Sequence, residues 1–184
     1  MSRRDTLKPM PNLAFGAMKS TMKLTDLLFP SGRAERRLAD VPLRKAMTVV
    51  DYGCGPGRYT IPMAEIVGVG GRVYAVDIQF LAIETVKRKA AGKGLINVQP
   101  VLVNSYHTGL LDASVDLVLL VDVVHGIQDR ASLFQEIHRL LKSGGLLYMD
   151  SGHSSTSEMK SQVEATGLFT MVKFDGRNML LSRK

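Results

Sequence analysis

The run Asp51-Tyr52-Gly53-Cys54-Gly55-Pro56-Gly57 constrains this chain more than any other feature. It follows a buried-strand pattern, Thr48-Val49-Val50-Asp51-Tyr52, and precedes a helical one from Tyr59 to Val67. Glycines at a strand-to-helix turn permit left-handed backbone and let main-chain N–H groups approach a ligand closely. Asp77 follows Gly57 by 20 residues, at the end of the next strand pattern, Arg72–Asp77. A carboxylate at that place can accept both hydrogens of a ribose diol.

The spacing of the glycines separates two cofactor classes. A dinucleotide fingerprint needs glycine at its first, third and sixth positions. Here the sixth position is Arg58, so the glycine that lets helix and strand pack closely is missing. The glycines fall instead at the first, third and fifth positions, with Asp51 two residues before the first.

From residue 46 onward strand and helix patterns alternate. Helices are expected over Tyr59–Val67, Phe80–Ala91, Ala131–Leu141 and Glu158–Ala165. Strands are expected over Thr48–Tyr52, Arg72–Asp77, Val98–Val103, Val115–Val121 and Leu146–Met149. Phe169–Phe174 and Asn178–Ser182 flank Asp175-Gly176, a strong hairpin signal. The fold class is therefore α/β, a doubly wound, mostly parallel sheet ending in an antiparallel β-hairpin. A terminal hairpin also replaces the second half that a nicotinamide would require.

Residues 1–45 differ from the rest. They hold four of the seven prolines and much of the basic charge. Phe15, Met18, Met22, Leu27 and Leu28 recur near helical spacing. The expected division is an N-terminal helical arm, 1–45, and a ligand-binding domain, 46–184. The apolar stripe must cover something, and its methionines suit an adaptable apolar wall. The arm is read as a lid.

In these motifs the chain resembles the class I S-adenosylmethionine-dependent methyltransferases. Asp51, Gly53, Gly55 and Gly57 match their first motif, and Asp77 matches the acid ending their second strand. The resemblance continues through Val115-Asp116-Leu117-Val118-Leu119-Leu120-Val121-Asp122, then His125, Ile127 and Asp129. It ends in Leu140-Leu141-Lys142-Ser143-Gly144-Gly145-Leu146, close to the family's L-K-P-G-G. The small branch containing quinone and arsenite methyltransferases is the most similar.

The resemblance implies a Rossmann-like fold, S-adenosyl-L-methionine as cofactor and S-adenosyl-L-homocysteine as product. It implies that Gly53, Gly55 and Gly57 wrap the methionine part and that Asp51 helps hold its ammonium. Asp77 would take the ribose hydroxyls, and Ile78 would pack on the adenine. The family usually places an acid after the third strand; this chain has Asn104, an uncharged acceptor, with Ser105 beside it. Asp122 would border the transferred methyl. His125 would face the acceptor and is the candidate catalytic base, since imidazole is the side chain that ordinarily titrates nearest neutral pH. Asp150 and His153 are expected at the same edge of the sheet.

Composition narrows the function further. The chain has 184 residues and one cysteine, Cys54, so it forms no internal disulfide and needs none to fold at this size. Cys54 reads as a small packing residue. No HxxxH or CxxC spacing suggests a metal site. No apolar run approaches a membrane span, and the N-terminus lacks a signal core, so a cytoplasmic protein is expected. The net charge of +7 keeps a nucleic-acid substrate open. Against it, base-stacking aromatics are few, and the N-P-P-[YF] motif of amino-directed base methylation is absent. The expected reaction is methyl transfer to a small molecule by in-line displacement. The alternatives are RNA methylation and a non-catalytic cofactor-binding module. Oligomeric state is left open.

Overall fold

The computed structural model describes residues 7–28, 33–152 and 155–184, with side chains omitted for 22–28 and 33. His153 and the side chains of Met22, Leu27 and Leu28 lie outside the described part. In chain order the elements are α1 (Asn12–Leu28), α2 (Arg33–Leu38), β1 (Thr48–Tyr52), α3 (Thr60–Val67), β2 (Arg72–Asp77), α4 (Phe80–Gly92) and β3 (Val98–Leu102). There follow β4 (Val115–Leu120), a 3-10 turn (Val124–Gly126), α5 (Arg130–Leu140), β5 (Leu141–Asp150), α6 (Thr156–Ala165), β6 (Phe169–Phe174) and β7 (Asn178–Arg183). Among the described residues no helix is long and apolar enough to cross a membrane.

The strands form one sheet in the order β3-β2-β1-β4-β5-β7-β6. The first five run parallel, and β7 pairs antiparallel with both β5 and β6. Sheet order reverses between β1 and β4. Ligands of open α/β sheets bind outside the strand C-termini at such a point. The glycine loop leaves β1 there, and Asp122 leaves β4 there.

Both faces of the sheet are covered. Val49, Leu117, Leu119 and Tyr148 pack with Met63, Ala64 and Val67 of α3 and with Leu38 and Val41. Ala75 packs with Ile83 and Val86 of α4. Val50, Val118, Leu120, Leu147 and Met149 face Phe134, Ile137 and Leu140 of α5 and Met159 and Val163 of α6. Adjacent strand residues thus serve opposite faces, as the period of two requires, and a strand buried on both faces reads as an unbroken apolar run.

The β5 segment departs from the sequence reading. It starts at Leu141, directly after α5, and not at Leu146. Val115 pairs with Leu141, and the next pair in register is Leu117 with Leu146. Residues Lys142–Gly145 form the intervening bulge, where Gly144 has φ +71°. A side chain on Gly145 would come within 2.9 Å of the Lys142 carbonyl, so the kink needs glycine there. A bulge hidden in a polar Lys-Ser-Gly-Gly run carries no strand periodicity.

Candidate cofactor site

At the end of β1 the chain turns sharply under β2. Gly53 and Cys54 donate their N–H groups to the Val76 carbonyl, at 2.8 and 3.0 Å. Gly53, Gly55 and Gly57 all have positive φ, at +76°, +51° and +78°. Gly53 and Gly57 are enclosed by side chains, whereas Gly55 is not. A Cβ on Gly53 would lie 2.4 Å from a Val123 methyl, and one on Gly57 would lie 3.0 Å from a Val86 methyl. A Cβ on Gly55 would meet nothing within 4 Å, so this residue fronts open space. Cys54 points the other way, into the packing beneath α4, and burial pushes its thiol up.

Two carboxylates brace the loop. Asp77, at the end of β2, accepts from Gly55 N–H at 2.8 Å with one oxygen and from Gln79 N–H at 2.8 Å with the other. Each oxygen keeps a further lone pair for a ligand. Burial raises Asp77, and these backbone donors pull it back. Asp51 is buried at 3% exposure and accepts from the Thr60 hydroxyl at 2.5 Å. Burial raises its pKa to about 7, with the Asp77 charge adding to the effect.

On the β3 side, the loop after β3 lies against the end of β2. Val103 N–H donates to the Asp77 carbonyl at 3.0 Å, which sets Asn104 and Ser105 next to the end of β2. Asn104 is exposed, Ser105 and Ile78 half-buried. The arm crosses this side. Leu7 N–H donates to the Asn104 carbonyl at 2.8 Å, and Gln79 Nε2 donates to Asn12 Oδ1 at 3.0 Å. Further along α1, Phe15 is buried, and Lys19 Nζ donates to Thr85 Oγ1 at 3.3 Å.

The opposite side is polar. Asp122 has φ +59°, and its N–H donates to Asp150 Oδ1 at 3.1 Å. Partial desolvation and then the Asp150 charge raise the Asp122 carboxyl, and Arg37 opposes them. Arg37 of α2 is ion-paired with Asp150 at 2.5 Å. His125 is exposed in the 3-10 turn, where the loop after β5 approaches so closely that a Cβ on Gly152 would lie 2.9 Å from its Nδ1.

The structure therefore brings Asp51, Gly53, Gly55, Gly57, Asp77 and Asp122 to one edge of the sheet. Sequence reasoning missed Thr60, Gln79 and Arg37. A hydroxyl at the first residue of the helix after the loop was the available signal for Thr60. No local signal joins Arg37 to Asp150, 113 residues away. Among the described residues, no group of three or more His, Cys, Asp or Glu is placed to hold a metal ion.

The open front of Gly55, with the Asp77 carboxylate alongside, fits a nucleoside carrying a tail. Comparison with known proteins agrees. Residues 50–149 match the family described as "Methyltransferase domain". The demethylmenaquinone methyltransferase of Geobacillus stearothermophilus is 30% identical over 104 residues, 56% of this chain and 44% of that protein. The Staphylococcus aureus enzyme of the same name is 30% identical over 113 residues, 61% of this chain and 46% of that protein. The chain thus spans less than half the length of these curated relatives. Among solved structures, a SAM-dependent methyltransferase from Aquifex aeolicus superposes with a TM-score of 0.81 at 21% identity, covering 92% of this chain and 98% of that one. A TehB-like SAM-dependent methyltransferase from Corynebacterium glutamicum gives 0.76 at 14% identity, covering 95% and 100%. The glycine loop, the acid after β2 and the matched family model together show that this chain belongs to the methyltransferase domain family, with the class I Rossmann-like fold and S-adenosyl-L-methionine as its cofactor.

Proposed function

We propose that this chain transfers a methyl group to a small aromatic acceptor of the quinol type, beneath its N-terminal arm. The observation that carries the reading is the open front of Gly55, with its N–H on Asp77 at 2.8 Å at the point where sheet order reverses. The names of the two relatives support the acceptor class.

The cofactor, when bound, supplies an activated sulfonium methyl. The chain supplies the alignment. Asp77 takes the ribose diol through its remaining lone pairs, with Ile78 against the adenine and Asn104 or Ser105 at the purine edge. Gly53, Gly55 and Gly57 present backbone to the amino-acid part, and Asp51 ionises to face its ammonium. Asp122 borders the methyl. Holding the acceptor in line with that methyl contributes roughly 7–11 kcal/mol in the best-oriented cases. His125 takes the proton that the acceptor loses, at an imidazole nitrogen. The arm excludes water, anchored on the nucleoside side by Leu7 and Asn12 and on the acceptor side by Arg37.

The direct test is methyl transfer from labelled S-adenosylmethionine to a demethylated quinol with a short side chain, run beside bulk RNA. Transfer to the quinol, reduced at least tenfold by His125→Ala, supports the reading. Transfer to RNA alone overturns it. Deleting residues 1–30 should impair turnover more than cofactor affinity; a fully active truncated chain would remove the arm from the site.

A further inference from the structure

We infer that Asp150, held by Arg37, is a positioning residue that sets the Asp122–Val123 turn against the glycine loop. It thereby shapes the end of the site that takes the cofactor's amino-acid part. This rests on the placement of Asp122 proposed above.

Asp150 closes β5 and has 0% exposure. Its two oxygens have separate tasks. Oδ1 accepts from Asp122 N–H at 3.1 Å and from Gly152 N–H at 3.2 Å, so one atom pins the loops after β4 and β5. Oδ2 takes the Arg37 guanidinium at 2.5 Å, with Arg177 farther off at 4.0 Å. The same Arg37 nitrogen donates to Asn178 Oδ1 at 3.1 Å, which adds β7 to the assembly. A buried carboxylate of this kind depends on its cation, and losing the partner leaves an uncompensated charge.

The consequence passes through the backbone. Asp122 sits at φ +59°, a conformation that an L residue holds only when its surroundings over-determine it. The bond from its N–H to Asp150 is one such constraint. The turn delivers Val123 onto Gly53, into the space where a Cβ would come within 2.4 Å of the valine methyl. Arg37, Asp150, Asp122, Val123 and Gly53 therefore form one mechanical series. None of these contacts involves Asp77 or Asn104 on the nucleoside side, so the effect is confined to one end of the ligand.

That confinement supplies the test. Calorimetry on the full chain and its variants would use two probes. S-adenosylhomocysteine carries the amino-acid part; 5′-methylthioadenosine lacks it. Asp150→Ala and Arg37→Met should each weaken S-adenosylhomocysteine at least fivefold and leave 5′-methylthioadenosine within twofold. Arg37→Lys, which keeps the charge, should recover most of the affinity and remains informative should Asp150→Ala fail to fold. Parallel loss of both probes, or unchanged binding of both, overturns the inference. Asp122→Ala separates it from the reading beneath it. Selectivity in Asp122→Ala but not in the Arg37 variants sinks the inference alone, whereas no selectivity in Asp122→Ala sinks the placement of Asp122.

Discussion

The Thr60 hydroxyl donates to the buried Asp51 carboxyl at 2.5 Å, joining the end of β1 to the first residue of α3. Burial raises this acid to about 7, so near neutral pH it holds a proton about half the time. Raising an acid's pKa above its unfolded value removes stability as pH climbs from near 4 toward 7. A bound ammonium would favour the ionised form. S-adenosylhomocysteine binding should therefore strengthen as pH rises toward about 7, level off above it, and release protons below it. Calorimetry in two buffers of different ionisation enthalpy would measure that release, and Asp51→Asn should abolish it. An unchanged proton count in Asp51→Asn removes this acid from the site.

Asp77→Ala should weaken S-adenosylmethionine binding at least tenfold while the chain stays folded. Charge-assisted bonds to a ribose diol contribute roughly 1.5–3 kcal/mol each. The carboxylate also holds the Gly55 and Gln79 N–H groups, so Asp77→Asn should fall between alanine and the parent. Unaltered affinity in Asp77→Ala would refute the assignment.

Gly53→Ala meets two obstacles, a φ of +76° and a Val123 methyl 2.4 Å from the new Cβ. A strained left-handed residue and an overpacked contact each cost roughly 1–3 kcal/mol. Thermal unfolding should show the loss. Adding Val123→Ala should recover part of it, since that change relieves the clash and leaves the backbone strain. Equal unfolding temperatures for the single and double variants would show that Val123 does not restrict the loop.

Glu136 anchors the loop after β3 to α5. It accepts from Thr108 N–H at 2.8 Å, from the Thr108 hydroxyl at 2.7 Å and from Arg139 Nη2 at 2.7 Å, and His107 Nδ1 lies 3.1 Å away. Burial alone would raise its pKa, but the Arg139 and Thr108 bonds win and lower it to about 2. A depressed carboxylate contributes stability above its unfolded pKa, and that contribution is lost as pH falls from near 4.5 toward 2. Glu136→Gln should cost about 2 kcal/mol at neutral pH and flatten the acid limb of denaturant unfolding. A parallel acid limb in both proteins would place the transition elsewhere.

How much could be read beforehand depends on whether the cause is local. The strand–glycine loop–helix unit and Asp77 are legible because left-handed turns and period-two burial leave marks within a few residues. Arg72–Asp77 and Phe169–Phe174 have the expected strand limits. The early start of β5 is not legible, since Lys142–Gly145 bulges out of the ladder and shows no alternation. Nor is the +59° φ of Asp122, which depends on a carboxylate on another strand. The Arg37–Asp150 pair lies beyond any pattern, because only the folded sheet brings α2 to the end of β5.

The sheet order β5-β7-β6 places the last strand in sequence between two earlier ones. Emerging from a ribosome, β6 has nowhere to dock, because its neighbour has not yet been made. The five parallel strands can assemble first, leaving the side of β5 open as a template. Asn178, the β7 residue paired with Asp150, then also reaches Arg37. Completion of the hairpin and closure of the Arg37–Asp150–Asn178 contact thus belong to one event, which waits for residues 178–183 to be made. A chain cut after residue 175, which lacks β7, should be protease-resistant over β1 to β4 and cleavable within β6; resistance throughout would show that β6 finds another partner first.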